Sequence, residues 1–378
     1  MSTRCPACGA EYPADARFCP RDGTRLEPVA APGADAAPPP SHARVFESIS
    51  PAEARATTPR LGGAAPPFTP PVDVARLPGQ VLDGRYRVTR KIGEGGMSFV
   101  FLASDASTGE NVAIKLLSPS LIRDRNAMAR LRREAELGGR LAHPNVCHIM
   151  RLGETAQGLV YVVMPFIEGE LLCDRNIRLG QLPLDVTTRF VSDIAAGLHV
   201  AHALGIIHRD LKPENIMICR RPDGSEHAVV MDFGLAKERQ LGPEVQKLTA
   251  TGIVLGTPEF MSPEQLRGKT LDPRTDIYSL GLMACEMLTG QLPFTGRTQQ
   301  DVMLARLKSE PTPIRAVRPD LHFPAAVEQV LLKSMHRDPD HRYRTAPEFA
   351  AALADAAAGG SGGEGPSASA FLDRLLRR

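Results

Sequence analysis

A run of eight residues, 208–215, contains the side-chain types that chemistry at a phosphate group requires. It reads HRDLKPEN and offers a carboxylate at Asp210, an ammonium group at Lys212 and an amide at Asn215. A second carboxylate, Asp232, follows an apolar stretch farther along the chain. Phosphoryl transfer depends mainly on positioning and on neutralising negative charge. This set of residues therefore suits that reaction.

Each of these side chains has a role that its chemical type allows. Asp210 can orient a hydroxyl group and accept its proton. Asn215 and Asp232 offer the hard oxygen ligands that Mg²⁺ prefers, and Lys212 can neutralise a transferring phosphoryl group. Taken singly, polar residues in loops more often serve turns or solvation, so the interpretation depends on the rest of the chain.

A glycine-rich segment lies between two strand-like runs. Its glycines let backbone N–H groups approach phosphate oxygens closely. A dinucleotide-binding turn would lead directly into a helix, but the chain continues here as a strand, which favours a hairpin over phosphates. The same pattern also suits an ordinary flexible hairpin. The segment comprises Ile92, Gly93, Glu94, Gly95, Gly96, Met97, Ser98, Phe99 and Val100.

An apolar strand of sequence VAIK ends in Lys115. The helix predicted over 124–141 has an apolar stripe that places Glu134 on its inward face. A buried carboxylate needs a partner, and Lys115 on the neighbouring strand can supply one. A lysine paired in this way can then hold phosphates. Alternatively, Glu134 lies at the flank of the helix and pairs with Arg130 or Arg133.

The elements that must position these residues form two parts. Strands are predicted over Tyr86–Ile92, Phe99–Ser104, Asn111–Leu116 and Leu159–Phe166. Helices are predicted over Asp185–Leu204, Asp276–Thr289, Thr298–Ser309, Ala325–Met335 and Ala346–Ala357. A small β-rich lobe followed by a larger helical lobe predicts an α+β fold with a cleft between the lobes. Clefts of this kind are favoured ligand sites.

Composition excludes several classes of protein. The 378 residues include 45 Lys and Arg and 43 Asp and Glu, a net charge of +2, which is too balanced for nucleic-acid binding by bulk charge. No apolar run reaches the roughly 18 residues of a membrane span, and the N-terminus lacks the apolar stretch of a signal peptide. An odd number of cysteines, seven, argues against a disulfide framework and favours a reducing cytoplasm.

The composition also changes along the chain. The segment 28–78 is rich in Pro and Ala and is predicted to be a disordered linker. The tail, 358–378, is Gly-rich and ends in a short basic amphipathic piece, which suits a docking helix or a weak membrane-surface contact. The predicted domains are a module at 1–27 and a globular domain at 79–357, with lobes at about 86–164 and 168–354.

The N-terminal module contains two Cys-Pro knuckles. Cys5 and Cys8 form the first, and Cys19 with Asp22 forms the second, where Asp22 stands in the place of a fourth cysteine. The pattern resembles a zinc ribbon, and these four side chains can form a closed tetrahedral Zn²⁺ site. So short a segment hardly folds without metal. The alternative is a knuckle that has lost its metal.

The ordered series GEGGMSFV, VAIK, REAEL, HRDLKPEN, DFG, GTPEFMSPE and TDIYSLG resembles the eukaryotic-type (Hanks-type) protein kinase family. The resemblance covers about residues 86–354. Within the family, the sequence is similar to bacterial members of the serine/threonine branch. It implies the two-lobed protein kinase fold. It also implies transfer of the γ-phosphoryl group of ATP, with Mg²⁺ or Mn²⁺, to Ser or Thr hydroxyls of protein substrates, which the sequence does not identify.

The resemblance implies a role for each matching residue. Lys115 holds the α- and β-phosphates and pairs with Glu134, Asp210 is the catalytic base, and Lys212 contacts the γ-phosphate. Asn215 and Asp232 bind Mg²⁺. The remaining matches are the ATP-site residues of the glycine-rich segment together with Ala113, the gatekeeper Met164 and the hinge residues Pro165, Phe166 and Ile167, and the structural residues Glu264, Arg342 and Asp276.

Three departures from the family pattern leave the ligand set intact. Ser98 replaces the third glycine, Ser262 replaces the Ala of Ala-Pro-Glu, and Pro165 removes a backbone donor at the hinge while its carbonyl remains.

A catalytically silent ATP-binding scaffold that signals through the N-terminal module is the alternative function. An enzyme of the same fold acting on small molecules is a third hypothesis.

The resemblance also implies regulation by the segment 232–264. Thr249 and Thr251 are the predicted phosphorylation sites. Two copies of the protein would associate and one would phosphorylate the other, and Arg209 would pair with the phosphate. The alternative is that both are solvated loop hydroxyls. Thr257 is expected to line the platform for a protein substrate.

Overall fold

The structure is a computed structural model. It describes residues 76–95, 98–117, 141–155, 158–233 and 258–359, four helical positions within 128–135, and the backbone of three short strands before residue 29. The chain divides into two compact units, Met1–Pro67 and Phe68–Arg378.

The first unit contains a small antiparallel sheet. Its strands are β1 (Ser2–Arg4), β2 (Glu11–Pro13) and β3 (Glu27–Pro28). Strand β1 lies in the centre and pairs with both others. In the sequence, Cys5 and Cys8 lie between the neighbouring strands β1 and β2, and Cys19 and Asp22 lie between the two edge strands β2 and β3.

The small lobe of the second unit is a six-stranded antiparallel sheet in the order β4-β5-β6-β7-β9-β8. Successive residues of β7 and β9 point to opposite faces of the sheet, and both faces are buried: Ile114 and Tyr161 belong to one apolar cluster, and Ala113 and Val162 belong to another. Tyr86, Phe101, Ile114 and Tyr161 form the centre of its core. The strands are β4 (Val81–Leu82), β5 (Tyr86–Gly95), β6 (Ser98–Asp105), β7 (Asn111–Leu117), β8 (Arg151–Glu154) and β9 (Val160–Pro165).

A second small sheet follows the hinge at the end of β9. It consists of β10 (Glu170–Leu171), β11 (Ile216–Arg220) and β12 (Glu226–Val230) in sequential order. Gly169 permits the close approach of the hinge to β11, since a Cβ there would lie 2.4 Å from the carbonyl oxygen of Ile218. This sheet therefore ties the hinge to the strands that flank the 208–215 loop.

The large lobe is helical and packs around two central helices, α2 and α4. Helix α4 is buried along almost its whole length, as expected of a helix that is apolar on all sides. The helices are α1 (Leu172–Leu179), α2 (Leu184–Ala203), α3 (Pro263–Leu266), α4 (Arg274–Thr289), α5 (Gln299–Lys308), α6 (Ile314–Val317), α7 (Ala325–Ser334) and α8 (Ala346–Ala357).

The predicted division into a β-rich lobe and a helical lobe is confirmed. The sequence patterns did not predict α1, α3 and α6, because two are single turns and α1 buries only Leu172 fully. Most of the helix predicted over 124–141 lies outside the described residues, although Met128, Arg132 and Ala135 are helical. In the part of the chain that the structure describes, no helix is long and apolar enough to cross a bilayer.

Candidate active site

The glycine-rich segment connects β5 to β6 as a hairpin. Glu94 pairs with Phe99, and Gly95 pairs with Ser98, so only two residues, Gly96 and Met97, join the strands; both lie outside the described residues. The register is irregular between Lys91 and Gly93. The chain continues as a strand after the glycines, which is the arrangement predicted for a hairpin over phosphates.

An apolar cluster connects the two lobes behind this hairpin. Ala113 and Met164 are buried in it, and Val100 and Ile92 pack against it from the small lobe. Met217, from β11 of the large lobe, packs against the same cluster. Ile92, Val100, Ala113 and Met164, which the family resemblance places at the ATP site, therefore lie in one apolar region. The hinge residues Pro165, Phe166 and Ile167 follow Met164 and are half-buried.

Lys115 forms an ion pair across the cleft. Its Nζ lies 2.8 Å from Oδ1 of Asp232, and the two side chains are 13% and 31% exposed. Glu134, the partner expected from the sequence, lies outside the described residues. The structure thus joins two residues that were assigned separate tasks, phosphate binding and metal binding, and each neutralises the charge of the other.

The loop at 208–215 brings Asp210, Lys212 and Asn215 together. Lys212 Nζ lies 3.2 Å from Asp210 Oδ2. The Asn215 amide donates to the Asp210 carbonyl oxygen at 2.7 Å, and residues 213–215 form a 3₁₀ turn. Since the N–H of Met231 donates to the Asn215 carbonyl at 2.8 Å, Asn215 lies beside the residue that precedes Asp232.

Asp276, in the first turn of α4, binds the backbone of the 208–215 loop. Its carboxylate is fully buried and accepts the backbone N–H of His208 at 2.8 Å and that of Arg209 at 3.0 Å. It also contacts His202 Nε2 at 2.7 Å. Burial alone would raise the pKa of Asp276, but these donors hold the pKa below its ordinary value. A buried anion therefore fixes the entry to the loop.

His208 connects the loop to the segment that carries Asp232. Its Nε2 lies 2.8 Å from the carbonyl oxygen of Met231. Its ring makes an edge contact with Phe233 at a centroid distance of 4.9 Å. Asp232, between these two residues, has a left-handed backbone with φ of 58°, a strained conformation for a non-glycine residue that clusters at functional sites.

Glu264 and Arg342 form a buried ion pair below the site. The guanidinium contacts the carboxylate at 2.7 and 2.8 Å, and Thr275 donates to the same carboxylate at 2.9 Å. Arg342 also stacks over the ring of Tyr278. This pair ties helix α3 to the large lobe.

Two residues near the loop had no role in the sequence analysis. His202, in the last turn of α2, is the third group bound to Asp276. Gln265 donates to the Arg209 carbonyl at 2.6 Å. A signal for Gln265 was present, because Ser262 and Gln265 have the spacing of a helix capping box, and both bonds of that box form.

Several predicted site residues lie outside the described residues. The backbone of Ser98 is described as part of β6, but its side chain lies outside the described part of the chain. The others are Gly96, Met97, Glu134, Thr249, Thr251, Thr257 and the four residues of the knuckles, Cys5, Cys8, Cys19 and Asp22.

Comparison with known proteins assigns the chain to a family. The family described as protein kinase domain matches residues 86–353. The chain belongs to the protein kinase domain family. This kinase domain is similar to the serine/threonine-protein kinase pkn3 of Myxococcus xanthus, with 37% identity over 281 residues, 74% of this chain and 51% of that protein.

Other relatives agree with this assignment. The serine/threonine-protein kinase PknB of Mycobacterium tuberculosis is 38% identical over 275 residues, 72% of this chain and 43% of that protein. Crystal structures of the Mycobacterium tuberculosis PknI kinase domain match with a TM-score of 0.58 and 27% identity, covering 74% of this chain and 98% of that one. The chain thus spans about half or less of the length of these curated relatives.

Proposed function

We propose that this kinase domain is a protein serine/threonine kinase that transfers the γ-phosphoryl group of ATP to Ser or Thr hydroxyls. The observation that supports this most strongly is the cluster of Asp210, Lys212 and Asn215 on one loop anchored by Asp276. The similarity to curated serine/threonine kinases supports the choice of acceptor.

In this proposal, Asp210 accepts the proton of the substrate hydroxyl. Its carboxylate is 30% exposed and can reach a substrate in the cleft, and Lys212 beside it would stabilise charge on the transferred group. Lys115 would hold the phosphates closer to the adenine. The apolar cluster around Ala113 and Met164 would receive the adenine ring.

Asn215 and Asp232 would hold the Mg²⁺ ion that the family implies. Their amide and carboxylate oxygens are the hard ligands that Mg²⁺ prefers, and the Met231 N–H to Asn215 carbonyl bond keeps the two residues close. Among the described residues there is no preformed cluster of three or more carboxylate, His or Cys side chains. A two-residue site fits Mg²⁺, which keeps several waters and also binds substrate phosphates. The bound ion would neutralise phosphate charge.

The proposal is tested with radiolabelled ATP and Mg²⁺ on the full chain, with a generic Ser/Thr-rich protein as acceptor and phosphosites mapped by mass spectrometry. We expect label on Ser and Thr of the acceptor with wild type and little with Lys115→Met. ATP binding without transfer by wild type, even after prior phosphorylation of the segment 232–264, would favour the silent scaffold.

Regulation through Thr249 and Thr251 is part of the same proposal. A phosphate on either residue would carry nearly two negative charges, which an arginine such as Arg209 can pair with. Wild type incubated with ATP should gain phosphate at one of these residues. It should also phosphorylate the same residue of an added Lys115→Met protein, which shows that the reaction occurs in trans. An active enzyme with neither residue phosphorylated would contradict the hypothesis.

We also propose that residues 1–27 form a zinc module, with 28–78 as its linker to a kinase domain at 79–357. Cys5, Cys8, Cys19 and Asp22 would be the ligands, since thiolate and carboxylate groups both bind zinc. The knuckles connect strands of one small sheet, which supports their proximity. Reduced full-length protein should contain one zinc per chain, and Cys5→Ser should remove it. A zinc content near zero in the wild type would contradict this.

A further inference from the structure

Gln265 links helix α3 to the catalytic loop through both ends of its side-chain amide. Its Oε1 accepts the backbone N–H of Ser262 at 2.9 Å, and its Nε2 donates to the Arg209 carbonyl oxygen at 2.6 Å. The residue is buried, with 8% of its surface exposed. Since buried polar groups are costly when unpaired, using both ends fixes the orientation of this amide.

The Arg209 backbone is the part of the loop that needs such support. Its φ is 68°, in the left-handed region that non-glycine residues rarely adopt. Asp276 accepts its N–H, but an anion cannot donate to its carbonyl. That carbonyl belongs to the same peptide group as the N–H of Asp210, so a rotation of this peptide would move Asp210.

We propose that Gln265 is a positioning residue for the transfer reaction. It holds the Arg209–Asp210 peptide in its strained orientation, and thereby keeps the Asp210 carboxylate beside Lys212. Asp276 and Gln265 act on opposite ends of one residue, the first on its N–H and the second on its carbonyl. Because Gln265 directly follows the segment 232–264, which the family resemblance links to regulation, it also connects the end of that segment to the 208–215 loop. The inference rests on the proposed kinase function.

The test compares three variants of the full chain, two at Gln265 and one at Ser262, the residues that form this capping box. Gln265→Glu keeps an oxygen acceptor for Ser262 but replaces the donor to Arg209 with a carboxylate oxygen, which repels the carbonyl. Ser262→Ala removes the capping hydroxyl and leaves the bond to Arg209 intact. Gln265→Met, which is close in size and uncharged, shows whether the added charge alone causes an effect.

Kinetics distinguish positioning from general destabilisation. We expect Gln265→Glu and Gln265→Met to lower kcat by about 10- to 100-fold, the usual effect of a small misplacement, with KM for ATP within about 2-fold of wild type. Ser262→Ala should lower the melting temperature while kcat stays within about 2-fold of wild type. Wild-type kcat in both Gln265 variants, or an equal loss in Ser262→Ala, would overturn the inference.

Hydrogen exchange provides a readout that does not need turnover. Peptides covering residues 206–212 should exchange faster in both Gln265 variants than in wild type and in Ser262→Ala. Unchanged exchange in the Gln265 variants would overturn the inference. If the wild type transfers no phosphate, the proposed kinase function fails, and the exchange result still decides whether Gln265 holds the loop.

Discussion

Lys115 and Asp232 form an ion pair across the cleft, with Nζ and Oδ1 2.8 Å apart. The first residue is on β7 of the small lobe, and the second follows β12 of the large lobe. In the proposed reaction, Lys115 serves the ATP phosphates and Asp232 serves the metal. In that reaction, bound ATP with Mg²⁺ would replace or share this contact.

Replacing Lys115 should affect catalysis far more than stability. We expect Lys115→Met to lower kcat about 100-fold or more, since it removes a preorganised cation from the phosphate site. The free energy of unfolding should change by only about 1 kcal/mol, because Asp232 is 31% exposed and stays hydrated. Lys91→Met, which breaks an exposed pair with Glu94 on the same sheet, is the control. Equal kcat for the two variants would contradict the assignment of Lys115.

Asp276→Asn should disrupt the 208–215 loop although the substituted side chain keeps the size and shape of the original. The substitution replaces an acceptor oxygen with a donor NH₂, so one of the two N–H groups of His208 and Arg209 loses its partner. The cost is about 1–3 kcal/mol of stability, and kcat should fall about 100-fold because the loop shifts. His202→Gln leaves both backbone bonds to Asp276, so its kcat should fall less. Urea denaturation and steady-state kinetics measure the two effects, and a larger loss in His202→Gln would contradict the account.

Breaking the Glu264–Arg342 pair should strongly destabilise the large lobe. Burial alone would raise the pKa of Glu264, but the Arg342 guanidinium holds the pKa below its ordinary value. Arg342→Met leaves a buried carboxylate unpaired and should cost about 3–5 kcal/mol. The double variant Glu264→Gln with Arg342→Met should recover part of this loss. The midpoints of urea unfolding measure the stability of the single and double variants. A double variant that is less stable than Arg342→Met alone would contradict the explanation.

The sign of the pH effect at Glu264 follows from its lowered pKa. The pair contributes stability above the ordinary pKa of about 4.5, and this contribution is lost as the pH falls through the lower pKa of the folded state. Glu264→Gln should therefore flatten the acid limb of the stability profile.

Glu286, on α4, should produce the opposite pH dependence. Burial raises its pKa to about 7, with smaller contributions from the charges of Glu214 and Glu259, against a hydrogen bond from Asn176. A raised carboxyl pKa favours folding below the ordinary value of about 4.5, and that contribution is lost as the pH rises to about 7. Relative to Glu286→Gln, the wild type should lose stability across this range. Parallel stability profiles for the two proteins would contradict the assignment.

The strands and the longer helices could be predicted from the sequence, because hydrophobic periodicity and short motifs indicate them. The strands of the small lobe alternate, and α2 and α4 to α8 carry apolar positions at helical spacing, except the single-turn α6. Helix α1 was missed because LCDRNIRL is only eight residues long and buries fully only Leu172. Its stability comes from packing and ion pairs, such as Arg175 with Glu226 at 2.7 Å, that no local pattern reveals.

In the candidate site, too, residues that are close in the sequence could be predicted, whereas contacts between distant residues could not. The HRDLKPEN run predicted that Asp210, Lys212 and Asn215 lie on one loop, because they are within six consecutive residues, and the structure brings them together. The pairing of Lys115 with Asp232 joins residues more than a hundred positions apart and depends on how the lobes meet. Gln265 was overlooked because its capping-box spacing indicated only a helix start, whereas the acceptor of its second bond, the Arg209 carbonyl, is a backbone atom.

The central claim is that Asp210 acts as the base in phosphoryl transfer, and Asp210→Asn tests it most directly. The amide keeps the size of the side chain but cannot accept the proton of the substrate hydroxyl. We predict that the transfer rate under saturating ATP and Mg²⁺ falls by about 10²–10⁴, while the Kd for ATP stays within about 3-fold of wild type. An Asp210→Asn protein that transfers phosphate at the wild-type rate would contradict the account.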